Sequence, residues 1–121
     1  MKLQTHKHLT DDDLNQIERL VEAATVGPWY SYAVGRDAEA GSNRIELGWC
    51  NELGSFKSMQ LVGGTIADQD FIARARQDVP RLLLEVRMLR ATLESVRDSE
   101  ISKLMQSRPN AVEGSTPVLS G

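Results

Sequence analysis

The strongest constraint on this chain is the run Asp-Gln-Asp-Phe-Ile-Ala-Arg-Ala-Arg-Gln-Asp-Val-Pro-Arg-Leu-Leu-Leu-Glu-Val-Arg-Met-Leu-Arg, from Asp68 to Arg90. Through it and just beyond, Ile72, Ala75, Val79, Leu82, Val86, Leu89, Leu93 and Val96 recur at alternating steps of three and four. That spacing holds one apolar seam on one side of a helix for roughly three heptads, the pattern of a coiled-coil or bundle helix. Such a seam must be covered, so the chain is built around helix packing. Pro80 interrupts it. Proline lacks the backbone donor and crowds the carbonyl of Arg76, which predicts a kink or break over residues 77–79. Asp68 is the expected N-cap, and Asp78 the cap of a second segment with Pro80 in its first turn. Beyond Pro80 the helix would extend about 35–40 Å at 1.5 Å per residue, long for a domain of this size. Its distal part is therefore expected to meet a second chain, most simply in a homodimer through Leu82, Val86, Leu89, Leu93 and Val96. Past Val96 the seam fails, because Glu100 and Lys103 occupy the next apolar positions.

The preceding residues predict the rest of an α+β domain. Thr10 reads as an N-cap, with Asp11, Asp12 and Asp13 in the first turn, where the helix dipole favours negative charge. Asp13 stands three after Thr10, close to a capping box. Leu14, Ile17, Val21 and Ala24 share one face, with Leu20 beside them, so a helix is expected over residues 11–24 and ends before Gly27-Pro28. Residues 29–34 read as an aromatic-rich strand. In residues 44–49, Ile45, Leu47 and Trp49 alternate with Arg44, Glu46 and Gly48, the pattern of a half-buried strand. A third strand is expected over residues 56–62, after the turn Asn51-Glu52-Leu53-Gly54-Ser55. The expected architecture is an N-terminal helix, a three-stranded antiparallel sheet with one face covered by helices, and a kinked C-terminal helix. Residues 10–106 form the domain, with flexible ends at 1–9 and 107–121.

Composition bounds the function. The chain has 121 residues, 40% hydrophobic and only 5% aromatic, so one modest domain with an aliphatic core is expected. A net charge of -3 is too small to announce a nucleic-acid or membrane partner. Acids crowd the first helix and arginines the last. This suits mutual attraction and solvated faces better than an acidic partner for the Arg-rich face. Cys50 is the only cysteine, which excludes an internal disulfide and fits a reducing cytoplasm. The first residues lack the apolar core of a signal peptide, and no run approaches the roughly 18 apolar residues of a membrane span.

Two motifs carry a resemblance. Ala23-Ala24-Thr25-Val26-Gly27-Pro28-Trp29 is followed by Asp-x-x-Phe-Ile-Ala-x-Ala-Arg-x-Asp-Val-Pro-x-Leu-Leu-x-Glu-Val-x-x-Leu, beginning at Asp68. Together, over residues 14–90, they resemble a broad group of small phage, prophage and bacterial accessory proteins. In that group a helix ends in an Ala-Thr-x-Gly-Pro-Trp turn, a variable β region follows, and a helix opening with Asp-x-x-Phe-Ile closes the domain. Val26 stands where proline is common. The resemblance implies fold and genomic neighbourhood and supplies no catalytic residues. It gives Trp29 the role of a plug, Phe71 and Ile72 places in the core, and Pro80 that of a fixed bend.

No chemistry-bearing constellation emerges. His6 and His8 offer two nitrogens without a clear third ligand, short of a zinc site. Asp11 to Asp13 lack the ligand alternation and turn glycine of a calcium loop. Gly63-Gly64-Thr65 has neither a Walker lysine nor a G-x-G-x-x-G pattern, and the acids after it would repel phosphate. Cys50 has no histidine nearby in sequence, and Glu46 and Glu52 are not distinguished from an ordinary polar face. Neither a metal nor a cofactor is expected, and the protein is not expected to be an enzyme. Tyr30, Tyr32, Arg36, Arg44 and Trp49 stand out instead, since aromatics and arginines on a small sheet form protein hot spots or stack a nucleobase. The competing reading buries the tryptophans and leaves the arginines solvated. The expected function is a non-enzymatic cytosolic binder that neutralises a bacterial target protein, as a phage anti-defence factor or an immunity-type protein. The alternatives are a sponge for a nucleotide signal and, less favoured by the charge, a nucleic-acid-binding phage regulator.

Overall fold

A computed structural model of the chain describes residues 7–107. The element order is α1 (Asp11–Ala23), β1 (Tyr30–Tyr32), β2 (Arg44–Cys50), β3 (Ser55–Met59) and α2 (Ile66–Ser107). The three strands form an antiparallel sheet in the order β1-β2-β3, so the fold is α+β as the sequence predicts. The chain divides into two compact units, Met1–Leu84 and Glu85–Gly121. The expected flexible tail beyond Ser107, and the first six residues of the expected flexible N-terminus, lie outside the described residues.

In the first unit, α1 starts on a reciprocal capping box. The Thr10 backbone N–H donates to the Asp13 carboxylate at 2.8 Å, and the Asp13 N–H donates to the Thr10 hydroxyl at 3.1 Å. The Thr10 backbone N–H, and after it the Thr10 side chain, hold the Asp13 carboxyl below its ordinary value. Leu14 is the residue of α1 that is buried, while Leu20 is largely exposed. Gly27, whose peptide to Pro28 is cis, approaches α2 closely: a Cβ there would stand 3.1 Å from Cγ of Arg76. Trp29 is then pinned on both backbone groups. Its N–H donates to the Gln77 side-chain oxygen at 3.1 Å, and its carbonyl accepts from the Gln77 amide nitrogen at 3.0 Å. The Arg76 guanidinium lies over the Trp29 ring, 5.9 Å from its centre. Trp29 is thus a plug against α2, although β1 begins only at the next residue and is shorter than predicted.

Helix α2 differs from its prediction in three ways. Its cap is Thr65, not Asp68. Thr65 N–H donates to Asp68 at 2.9 Å and Asp68 N–H to the Thr65 hydroxyl at 3.0 Å, repeating the box at α1. The helix also runs unbroken through Pro80, so Asp78 caps no second segment. Proline here forfeits one hydrogen bond in a helix of 42 residues, which its flanking turns sustain. Finally, the inward stripe is not the seam. Gln69 and Ala73 are buried, and Ile72, Ala75 and Val79 are only half-buried. Phe71, expected in the core, is 74% exposed, because it lies about 200° round the helix from the buried positions at two residues' remove. It borders a shallow open hollow with Val62, Leu61 and Asp68.

Candidate binding face on the sheet

The sheet's two faces are set by register. Ser31 pairs with Ile45 and Ile45 with Met59, which places those side chains on one face, directed at α2. Ile45 is fully buried there and Ala33 nearly so. A polar chain binds this face to the helix. The buried Gln69 amide donates to the Ser31 hydroxyl at 2.8 Å and to the Tyr32 carbonyl at 3.0 Å. Ser31 donates to Asp70 at 2.6 Å, and Asp70 receives both terminal nitrogens of Arg36, at 2.8 and 2.9 Å. Arg36 also donates through Nε to Asp37 at 2.9 Å, and the same carboxylate accepts the Ala33 N–H at 2.9 Å.

The charge-assisted bonds tune the acids of this chain. The Arg36 guanidinium, and secondarily the Ser31 hydroxyl, hold the Asp70 carboxyl down at about 2. Arg36 and then the Ala33 N–H lower Asp37, while Asp70 and Asp37 together raise Arg36. Every member serves as donor or acceptor to another, so the chain works as a brace between β1, its following loop and α2.

The opposite face collects the aromatics. Tyr30 pairs with Glu46 and Glu46 with Ser58, while Tyr32 pairs with Arg44. The register then shifts between Glu46 and Gly48, so Leu47 is an extra residue with no counterpart on β3. A single inserted residue reverses the alternation of the strand beyond it. Trp49, paired with Phe56, therefore joins the face of Tyr30 and Glu46 rather than that of Ile45. This corrects the predicted grouping of Ile45, Leu47 and Trp49. Gly48 carries the distortion with a φ of 135°, a conformation that side-chain-bearing residues rarely adopt.

The result is an open, partly ordered surface. Tyr30, Trp49 and Phe56 are each more than half exposed. Trp49 and Phe56 pack edge to face, with ring centres 5.4 Å apart and planes at 87°. The Trp49 indole N–H donates to Asn51 at 2.8 Å, which fixes the ring against the β2–β3 turn. Arg44 stacks over Tyr32, 5.0 Å from the ring centre, and is ion-paired to Glu46 at 3.1 Å. Of the residues singled out in the sequence, Tyr30, Tyr32, Arg44 and Trp49 thus share one face. Arg36 does not join them, because its guanidinium turns to Asp37 and Asp70. Phe56 escaped the sequence reading. Its signal was its place just beyond the Asn51-to-Gly54 turn, opposite Trp49 across a hairpin.

The other candidates gain little. Cys50 is half-buried at the end of β2. His8 is exposed, and His6 lies outside the described residues. Among the described residues no group of three or more His, Cys, Asp or Glu side chains could hold a metal ion. No described helix is long and apolar enough to cross a membrane. Compared with protein-family models, curated proteins and solved structures, the chain matches none.

Proposed function

We propose that this chain acts by binding, and that it neutralises a bacterial target protein by docking the outer sheet face onto it. The observation that carries this reading is the exposed row Tyr30, Trp49 and Phe56 beside the stacked Arg44. Tryptophan, tyrosine and arginine dominate measured hot spots, and rings already held in place lose little freedom on binding. The motif resemblance to phage and bacterial accessory proteins supplies the class of target. A nucleotide sponge is the second reading, since aromatic faces stack bases. Arg44 weighs against it: its charge is already paired with Glu46, leaving less to offer a phosphate. The test is capture from a bacterial lysate on the wild-type chain and on a folded Arg44→Ala/Trp49→Ala chain, with protein and small-molecule mass spectrometry. A protein retained by the first and lost by the second supports the proposal. A nucleotide or DNA retained in its place overturns it in favour of sequestration or regulation.

A further inference from the structure

The described part of the second unit is a single helical segment. Every described residue from Ala91 to Gln106 is exposed, and Leu89, Leu93 and Val96 are between 54% and 61% exposed along one seam. Helices of globular proteins take most of their stability from packing an apolar face, and among the described residues nothing buries residues 91–106. The seam has the chemistry of a specific pairing. In heptad terms Val86 and Leu93 take the a positions and Leu89 and Val96 the d positions, so the first of these heptads carries the valine-then-leucine order that favours two parallel strands.

Charge fixes the direction. Glu85 occupies a g position, and Arg90 and Arg97 occupy e positions. In a parallel pair, a g side chain meets the e side chain of the following heptad on the other helix, so Glu85 meets Arg90. An antiparallel pair sets the e flanks together, which opposes Arg90 to Arg97. Among the described residues Arg81 is ion-paired with Asp78 at 3.7 Å rather than with Glu85, and neither Glu85 nor Arg90 forms an ion pair. The i,i+4 pairs of Arg81 with Glu85 and of Arg90 with Glu94, which the helical spacing allows, are not made, which leaves Glu85 and Arg90 available to a second helix.

We infer that the covering partner is a second copy of this chain, joined as a parallel two-stranded coiled coil through Val86, Leu89, Leu93 and Val96, with Glu85 of each copy paired to Arg90 of the other. Sedimentation equilibrium of the full chain should give a dimer at micromolar concentration. Glu85→Arg should weaken it at least about tenfold, by placing like charges together. Glu85→Arg combined with Arg90→Glu should restore it. Circular dichroism verifies that each variant folds. In a Cys50→Ser background, Leu89→Cys should oxidise readily to a covalent dimer, because d positions face each other only in the parallel arrangement. A wild-type monomer at high micromolar concentration, a trimer, a dimer indifferent to the charge exchange, or a dimer that resists the Leu89→Cys cross-link would each overturn the inference.

Discussion

The two faces of the sheet differ in what their polar groups do. On the inner face, Ser31, Gln69, Asp70 and Arg36 satisfy one another around the buried Ile45. On the outer face, Arg44 and Glu46 are paired, but the rings of Tyr30, Trp49 and Phe56 remain open to solvent. An inner face of this kind is a fastening. An outer face of this kind, with its rings pre-set by Asn51 and by edge-to-face packing, has its contact area unused within the fold. The lesson is that one residue, Leu47, decides the assignment, because without the bulge Trp49 would share the face of Ile45.

The contrast can be broken by substitution. Ile45→Ala should cost the most, about 2–5 kcal/mol, because it empties the one large side chain that is fully buried among the described residues. Trp49→Ala forfeits an edge-to-face pair worth about 0.5–1.5 kcal/mol beyond its area burial. Thermal melts that rank the two equally would mean that the outer face is core and the comparison fails. Gly48→Ala should come next, at about 1–3 kcal/mol, as a backbone cost. No heavy atom lies near its would-be Cβ, so crowding adds nothing. An unchanged melting temperature would show that the bulge does not need its positive φ.

The smallest of these effects is set by pH. Asp70 has its carboxyl lowered from 3.8 to about 2 in the fold. A group depressed in this way contributes stability above its unfolded value, and that contribution is lost as pH falls from near 3.8 through about 2. The wild-type chain should therefore lose stability over that window, and Asp70→Asn should flatten the dependence there. A variant with the same acid profile as the wild type would remove Asp70 and Arg36 from the brace. Because both groups are solvent-accessible, the effect is modest.

Much of this was legible in sequence where the cause is local. Thr10 and Asp13 declare a capping box by spacing alone, and Thr65 with Asp68 has the same spacing, although Asp68 by residue type is itself a strong cap candidate. The first strand declared itself by its aromatics, the second by alternation, the third by the turn before it, and the last helix by its seam. What could not be read depends on partners far along the chain. Arg36 looks like a free binding arginine until Asp70 is brought to it from α2. Phe71 looks like core until Gln69 and Ala73 are seen to occupy the inward stripe. The alternation of residues 44–49 was misleading because a bulge reverses it, although Gly48 inside a strand was a hint of one. Leu82, Leu89, Leu93 and Val96 form the stripe that their spacing predicts, and they are all exposed among the described residues.

The most direct test of the account is a binding titration of the captured target with the wild-type chain and with Arg44→Ala/Trp49→Ala. The double variant should keep its circular dichroism spectrum while binding at least about 2 kcal/mol more weakly, roughly a thirtyfold loss of affinity. A folded double variant that binds the target as tightly as the wild type would contradict the account and move the site off the sheet.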